Sequence, residues 1–246
     1  IAEVALQTLA ADFRHIDPRT ARIVLIEAGP RLLPTFPAEQ ADYAHAALKR
    51  GGVEIKTGTR VTRCGAHGVD TDDGRIDAAT VIWAAGVMAS PAARWLDAPA
   101  DRAGRVKVEA DLSLPGHRDI FVIGDTATVN DAKGNPVPGI APAAKQMGQY
   151  VGKLIAARIA GRAAPAAFRY IHLGELATIG RRAAVVKLGR LQLHGFIGWV
   201  FWSVVHIYFL IGLRNRLTVA FNWFWDYLTF QRGARLITDV EPPAKP

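Results

Sequence analysis

The sequence predicts an α/β fold followed by a separate apolar, aromatic-rich C-terminal region. Three observations predict it. Residues 22–28, RIVLIEA, form a short continuous apolar run ending in an acid, as a strand buried on both faces of a parallel sheet would. The next segment, PAEQADYAHAALKRGGVEIKTG, reads as a helix over residues 38–50 stopped by Gly51 and Gly52, then a strand at 53–56. Finally, residues 191–213 carry no formal charge and include Phe196, Trp199, Phe201, Trp202, Tyr208 and Phe209.

The remaining elements follow in order. The chain opens in mid-pattern with IAEVALQTLAADF, apolar at Ile1, Val4, Ala5, Leu6 and Leu9, which reads as the tail of a helix. Because Ile rather than Met stands first, we expect a piece of a longer protein, and no secretory signal is visible in it. After the strand–helix–strand unit come three short strand candidates, RVTRC, GVDTDDG and RIDAATVIWAAG, with Asp72, Asp73 and Gly74 supplying a turn. They predict a small antiparallel insertion, with residues 80–84 then returning to the parallel sheet. Residues 104–125 hold two more strand candidates, the second at 120–123. The Gly/Pro-rich loop NDAKGNPVPGIAP leads to a long helix over 141–160, ended by Gly161, with Met147, Val151, Leu154, Ile155 and Ile159 on one side. Residues 168–193 break into strand-like pieces between glycines and arginines, and EPPAKP reads as a disordered tail. No internal repeat is seen.

Composition narrows the function classes. With 246 residues, half of them hydrophobic, a sizeable buried core is expected. The single cysteine, Cys64, can form no internal disulfide, so these residues supply no cysteine pair for dithiol–disulfide exchange. No metal-ligand cluster is read. The net charge of +8 is concentrated: residues 162–225 hold eight basic side chains against the one acid Glu175. A polyanionic surface, nucleic acid or membrane, is the expected partner of such a stretch. The large apolar area interleaved with it decides for a lipid surface and against nucleic acid, which would leave that area unused.

Three places could carry cofactor chemistry. Glu27 ends the first strand, where an acid in a dinucleotide-binding βαβ unit accepts hydrogen bonds from ribose hydroxyls and repels the 2′-phosphate of NADP, favouring NADH. The glycine-rich fingerprint that accompanies such an acid is not among these residues and is expected upstream of Ile1. In ATVIWAAGV the small side chains of Ala84, Ala85 and Gly86 would let a nicotinamide or flavin ring approach the backbone. In DIFVIGDTATV, Asp125 follows an apolar run and Gly124, and is placed to accept from the hydroxyls of a polyol.

Taken in order, VLIEA, VIWAAG, a strand ending IGD and a long helix beginning near a proline resemble the two-dinucleotide-binding-domain flavoproteins, a Rossmann-like, glutathione-reductase-like fold. APAAKQMGQYVGKLI further resembles the type II NADH dehydrogenases, the non-proton-pumping NADH:quinone oxidoreductases, whose motif has the form PxAQxxxQ. Pro142, Ala144 and Gln149 match; Lys145 departs from the glutamine common there. The resemblance implies a domain division of 1–115 for NADH, 116–165 as the return of the FAD-binding domain, 166–240 for the anchor and quinone site, and 241–246 as tail. It implies Glu27 on NADH, Ala84, Ala85 and Gly86 near both dinucleotides, and Gly124, Asp125, Ala144 and Lys145 on FAD. Gln149 and Lys145 would meet the quinone. The positive end of the helix dipole would stabilise an anionic reduced flavin. No side chain is singled out as catalytic: NADH would reduce the flavin, NAD would leave, and the flavin would reduce a membrane quinone without proton pumping. Within the same resemblance a homodimer is allowed for.

The C-terminal segment is the membrane candidate. The 23-residue uncharged run at 191–213 is long enough to span a hydrocarbon core of about 30 Å, although His206, Ser203, three glycines and basic residues on both flanks speak against it. In RNRLTVAFNWFWDYLTFQR, Asn215, Thr218, Asn222, Asp226 and Thr229 make one narrow polar stripe on a broad aromatic surface, the pattern of a helix lying in the membrane interface or packing in a partner groove. HIYFLIGLRNRL and FQRGARLI resemble the surface anchor of the type II enzymes, which implies a monotopic protein on the cytoplasmic face of a bacterial inner membrane. Two other readings are open at this stage: a flavin reductase with a soluble acceptor, and a non-catalytic membrane-associated fragment.

Overall fold

The computed structural model describes residues 1–9, 15–131 and 134–229. They form two compact units, the described residues of 1–81 with those of 174–229, and those of 82–173.

In the first unit, strands β1 (Ile23–Glu27) and β2 (Val53–Thr57) pair in parallel, with Ile23 opposite Val53 and Glu27 opposite Thr57. Helix α1 (Ala38–Arg50) joins them; Glu39 in its first turn and Lys49 and Arg50 in its last complement the helix dipole, and Gly52 leaves it at φ +84°. This is the strand–helix–strand unit expected from the sequence. The antiparallel insertion is also present, as β3 (Val61–Gly65), β4 (Gly68–Thr71) and β5 (Gly74–Asp77). The opening residues are helical, with Val4–Thr8 wound as a π-helix. Further on lie three antiparallel strands, β10 (Glu175–Gly180), β11 (Ala183–Leu188) and β12 (Leu191–His194), with β11 central. Ala184, Val185 and Val186 on β11 are fully buried. One polar side chain ties α1 to this sheet: Gln40, 1% exposed, donates through Nε2 to the carbonyls of Val186 at 2.7 Å and Leu193 at 3.1 Å.

The uncharged run at 191–213 is not one helix. Its first four residues are strand β12, and α4 (Gly195–Phe209) has only 15 residues. At about 1.5 Å per residue it reaches about 22 Å, short of the ~30 Å core of a bilayer. Among the described residues no helix is long and apolar enough to cross a membrane. Strand pairing to β11 captured the leading residues, an outcome that hydropathy cannot register. Helix α5 (Leu213–Thr229) follows and buries none of its residues. The tail at 241–246 lies outside the described residues.

In the second unit, β6 (Val106–Lys107) pairs in parallel with β9 (Ala127–Thr128), and β7 (Ser113–Leu114) forms a hairpin with β8 (His117–Phe121). The strand expected at 120–123 is therefore displaced toward the N-terminus and runs antiparallel. Gly116, at φ +80°, supplies a tight turn just before His117, and that turn sets the pairing. The return strand expected at 80–84 does not form: the backbone there is irregular, and Ile82 and Trp83 are each 63% exposed. An apolar strand needs partners on its edges, and among the described residues the parallel sheet of the first unit contains only β1 and β2. After the short α2 (Ala92–Trp95), the long helix α3 (Ala141–Ile159) lies where the periodicity places it. It buries Ala143, Met147, Val151 and Leu154, the first three in a core with Leu112, Val137 and Phe168.

Candidate functional site

The end of β1 is the first of two site regions. Glu27 Oε1 accepts the N–H of Gly29 at 2.7 Å, which folds the carboxylate back over its own turn. A side chain at position 29 would bring a Cβ within 3.1 Å of that oxygen, so the glycine keeps the space clear. The Glu27 carbonyl accepts from Thr59 N–H and the Gly29 carbonyl from Gly58 N–H, fixing the loop after β1 to the end of β2. Glu27 thus stands at the carboxyl end of a parallel strand, where open α/β sheets bind ligands.

The second region lies in the other unit, where the turn after β8 meets the start of α3. Gly124 has φ +69°, a left-handed conformation that glycine tolerates, and a Cβ built on it would lie 3.5 Å from that of Ala144. Its N–H points to Met147 Sδ at 3.2 Å. Asp125, exposed, places its carboxylate beside Gly139, where a Cβ would sit 3.6 Å from Oδ1. No side chain caps α3 at Ile140, and Pro142 occupies its first turn, so the positive end of the helix is open toward this turn. Lys145 and Gln149, one helical turn apart, are both exposed. The structure therefore brings together Gly124, Asp125 and Ala144, and sets Lys145 and Gln149 along the adjoining face. Ala84, Ala85 and Gly86 lie in the exposed irregular stretch; Gly86, at φ +99°, has open space where a side chain would be.

Below the site α3 is anchored at its far end. Arg158 donates to the Arg118 carbonyl, pairs with Asp111 at 3.3 Å and lies 5.2 Å over the Phe121 ring. Burial pushes the Asp111 carboxyl up, but the Ser113 hydroxyl and amide together with Arg158 outweigh it and hold Asp111 below the usual carboxylate range. Burial raises the Tyr150 phenol.

Three residues of this site escaped sequence reasoning. Met147 was legible only as core, Gln146 as a surface position and Gly139 as loop. Gln146 uses both ends of its amide on Ile171, donating to its carbonyl and accepting its N–H, each at 2.9 Å.

Residues 3–148, more than half of the chain, match the pyridine nucleotide-disulphide oxidoreductase family. The chain belongs to that family. Residues 172–232 match a second family, the NDH2 C-terminal domain. The type II NADH:quinone oxidoreductase Ndh of Mycobacterium tuberculosis is 40% identical over 257 residues, covering 100% of this chain and 54% of the relative. The internal alternative NAD(P)H-ubiquinone oxidoreductase A1 of Arabidopsis thaliana mitochondria is 30% identical, covering 84% of this chain and 44% of the relative. The chain spans about half the length of the curated relatives it matches. Among solved structures, NDH2 of Plasmodium falciparum in complex with NADH superimposes with a TM-score of 0.79 at 19% identity, covering 96% of this chain and 63% of that one. At that identity the likeness shows the fold. The Rossmann-like α/β fold and the resemblance to type II enzymes read from VLIEA, IGD and PxAxxxxQ are those returned by the comparisons. Family membership brings no disulfide chemistry to these residues, because Cys64 is exposed and alone.

Proposed function

We propose that this chain works within an FAD-dependent NADH:quinone oxidoreductase that pumps no protons. One observation carries the reading: the left-handed Gly124 turn set against the first turns of α3, in a chain similar over its whole length to type II NADH:quinone oxidoreductases. The donor set suits a flavin dinucleotide. An uncapped helix end, small residues at 124, 139, 144 and 148, and a carboxylate facing Gly139 combine a flat approach with polar grips. Gly124, Asp125, Ala144 and Lys145 would hold FAD, which when bound supplies the two-electron relay between nicotinamide and quinone.

The chain's own residues bind, orient and screen. Glu27, held by Gly29 N–H, keeps its second oxygen for ribose hydroxyls, and its charge opposes a 2′-phosphate. Asp125 accepts hydroxyl protons, and the α3 N-terminus favours negative charge placed over it. Gln149 and Lys145 offer donors to a quinone oxygen, and Ala84, Ala85 and Gly86 leave a dinucleotide room. We divide the chain by role as residues 1–115 for NADH, 116–165 for FAD and 166–240 for anchor and quinone.

The same proposal places the protein on the surface of a membrane, on its cytoplasmic side. Support comes from the exposed apolar side chains of α4 and α5: Phe196, Ile197, Tyr208, Leu217, Phe221 and Phe224 are each 53–68% exposed. So large an apolar surface marks a contact with lipid or protein, and the arginines around it suit anionic headgroups. The purified full-length protein is expected to be yellow, to reduce a soluble quinone analogue with NADH faster than with NADPH, and to sediment with anionic vesicles. Serine at Phe221, Phe224 and Trp225 should abolish sedimentation. A colourless protein would overturn the flavin assignment, and unchanged sedimentation of the triple variant the membrane assignment.

A further inference from the structure

Helix α3 is tied on two flanks by two adjacent side chains. On one flank, Met147, 2% exposed, receives the N–H of Gly124 on its thioether at 3.2 Å. On the other, Gln146 holds the backbone of Ile171 with two bonds of 2.9 Å, the double contact by which one strand holds another. At 3.6 residues per turn, neighbouring side chains point about 100° apart, so these two ties leave a free sector between them on the far side of the helix. That sector carries Ala141, Lys145, Gln149 and Gly152, all exposed. The turn of Gly124 and Asp125 forms one wall beside it, and the segment around Ile171 the other.

We propose that Gln146 and Met147 are positioning residues with separate tasks: Met147 sets the Gly124–Asp125 wall for the flavin, and Gln146 sets the Ile171 wall for the quinone. The inference rests on reading this face as the FAD and quinone site. Physically, Met147 supplies the partner of a part-buried backbone donor, while Gln146 holds the exposed backbone of Ile171 by donor and acceptor together. A thioether is a weak acceptor, but Gly124 has no other acceptor for its N–H among the described residues. Without that bond the left-handed turn loses a constraint while the core keeps its shape. The amide of Gln146, in contrast, fixes both the distance and the direction of residue 171, since donor and acceptor are both used.

The test uses near-isosteric variants of the full-length protein. Met147→Leu is expected to raise the Kd for FAD about fivefold, through the loss of this one constraint on the Gly124 turn, with the KM for a soluble quinone analogue unchanged at saturating FAD. Gln146→Met is expected to raise that KM about fivefold while leaving the Kd for FAD unchanged. Amide hydrogen exchange should quicken at Gly124 in the first variant and at Ile171 in the second. If both variants move both constants together, or neither constant moves, the separate tasks are refuted. A wild-type protein without flavin would instead overturn the functional reading; faster exchange at the two amides would then still establish the ties.

Discussion

Gly174→Ala is expected to be strongly destabilising, lowering stability by about 4 kcal/mol or more. Gly174 lies at φ +116°, outside the region that L side chains adopt. A Cβ there would sit 2.5 Å from the Lys187 carbonyl oxygen and 2.4 Å from Leu188 Cδ2. The leucine methyl can rotate away, but the carbonyl belongs to β11, which is paired on both edges and fully buried at Ala184, Val185 and Val186. Relief therefore requires moving the central strand. Gly161→Ala is the matched comparison: φ is +62° and nothing lies within 4 Å of the added methyl, so only the backbone cost of about 1–2 kcal/mol applies. Thermal melts of the two variants should differ by several degrees; equal melting temperatures would remove the steric argument.

Glu27 carries the larger functional prediction. Glu27→Ala removes the charged acceptor at the end of β1 and releases Gly29 N–H, so kcat/KM for NADH should fall about 10–100-fold, as for one or two hydrogen bonds to a charged group. Glu27→Gln separates charge from shape. It keeps an oxygen to accept from Gly29 N–H and offers its NH2 as a donor to a ribose hydroxyl oxygen but no longer repels a 2′-phosphate, so the ratio of NADPH to NADH activity should rise while NADH activity drops less than in the alanine variant. An unchanged cofactor ratio in the glutamine variant would show that Glu27 does not face the 2′ position.

Much of this architecture was legible because local signals were strong. Gly51 and Gly52 end α1 at residue 50, and Asp72, Asp73 and Gly74 turn the antiparallel insertion, as read. Periodicity placed α3 to within a residue. The misses share a cause. Residues 80–84 and 120–123 are apolar enough for strands, yet strand formation depends on a partner edge, which is a property of the assembled sheet. The run at 191–213 has the hydropathy of a span, but pairing of residues 191–194 with β11 divided it.

By itself, then, the sequence determined the order of elements, the acid after the first strand, the IGD turn and the helix with Pro142 in its first turn. These depend on caps, turns and periodicities that act over a few residues. Only the tertiary structure decided which strands found partners, that Gln40 ties α1 to the C-terminal sheet, and that Gln146 and Met147 face opposite walls. A hydrogen bond between residues 23 or 146 positions apart has no local signature: its energy is realised only once packing has closed the loop between them.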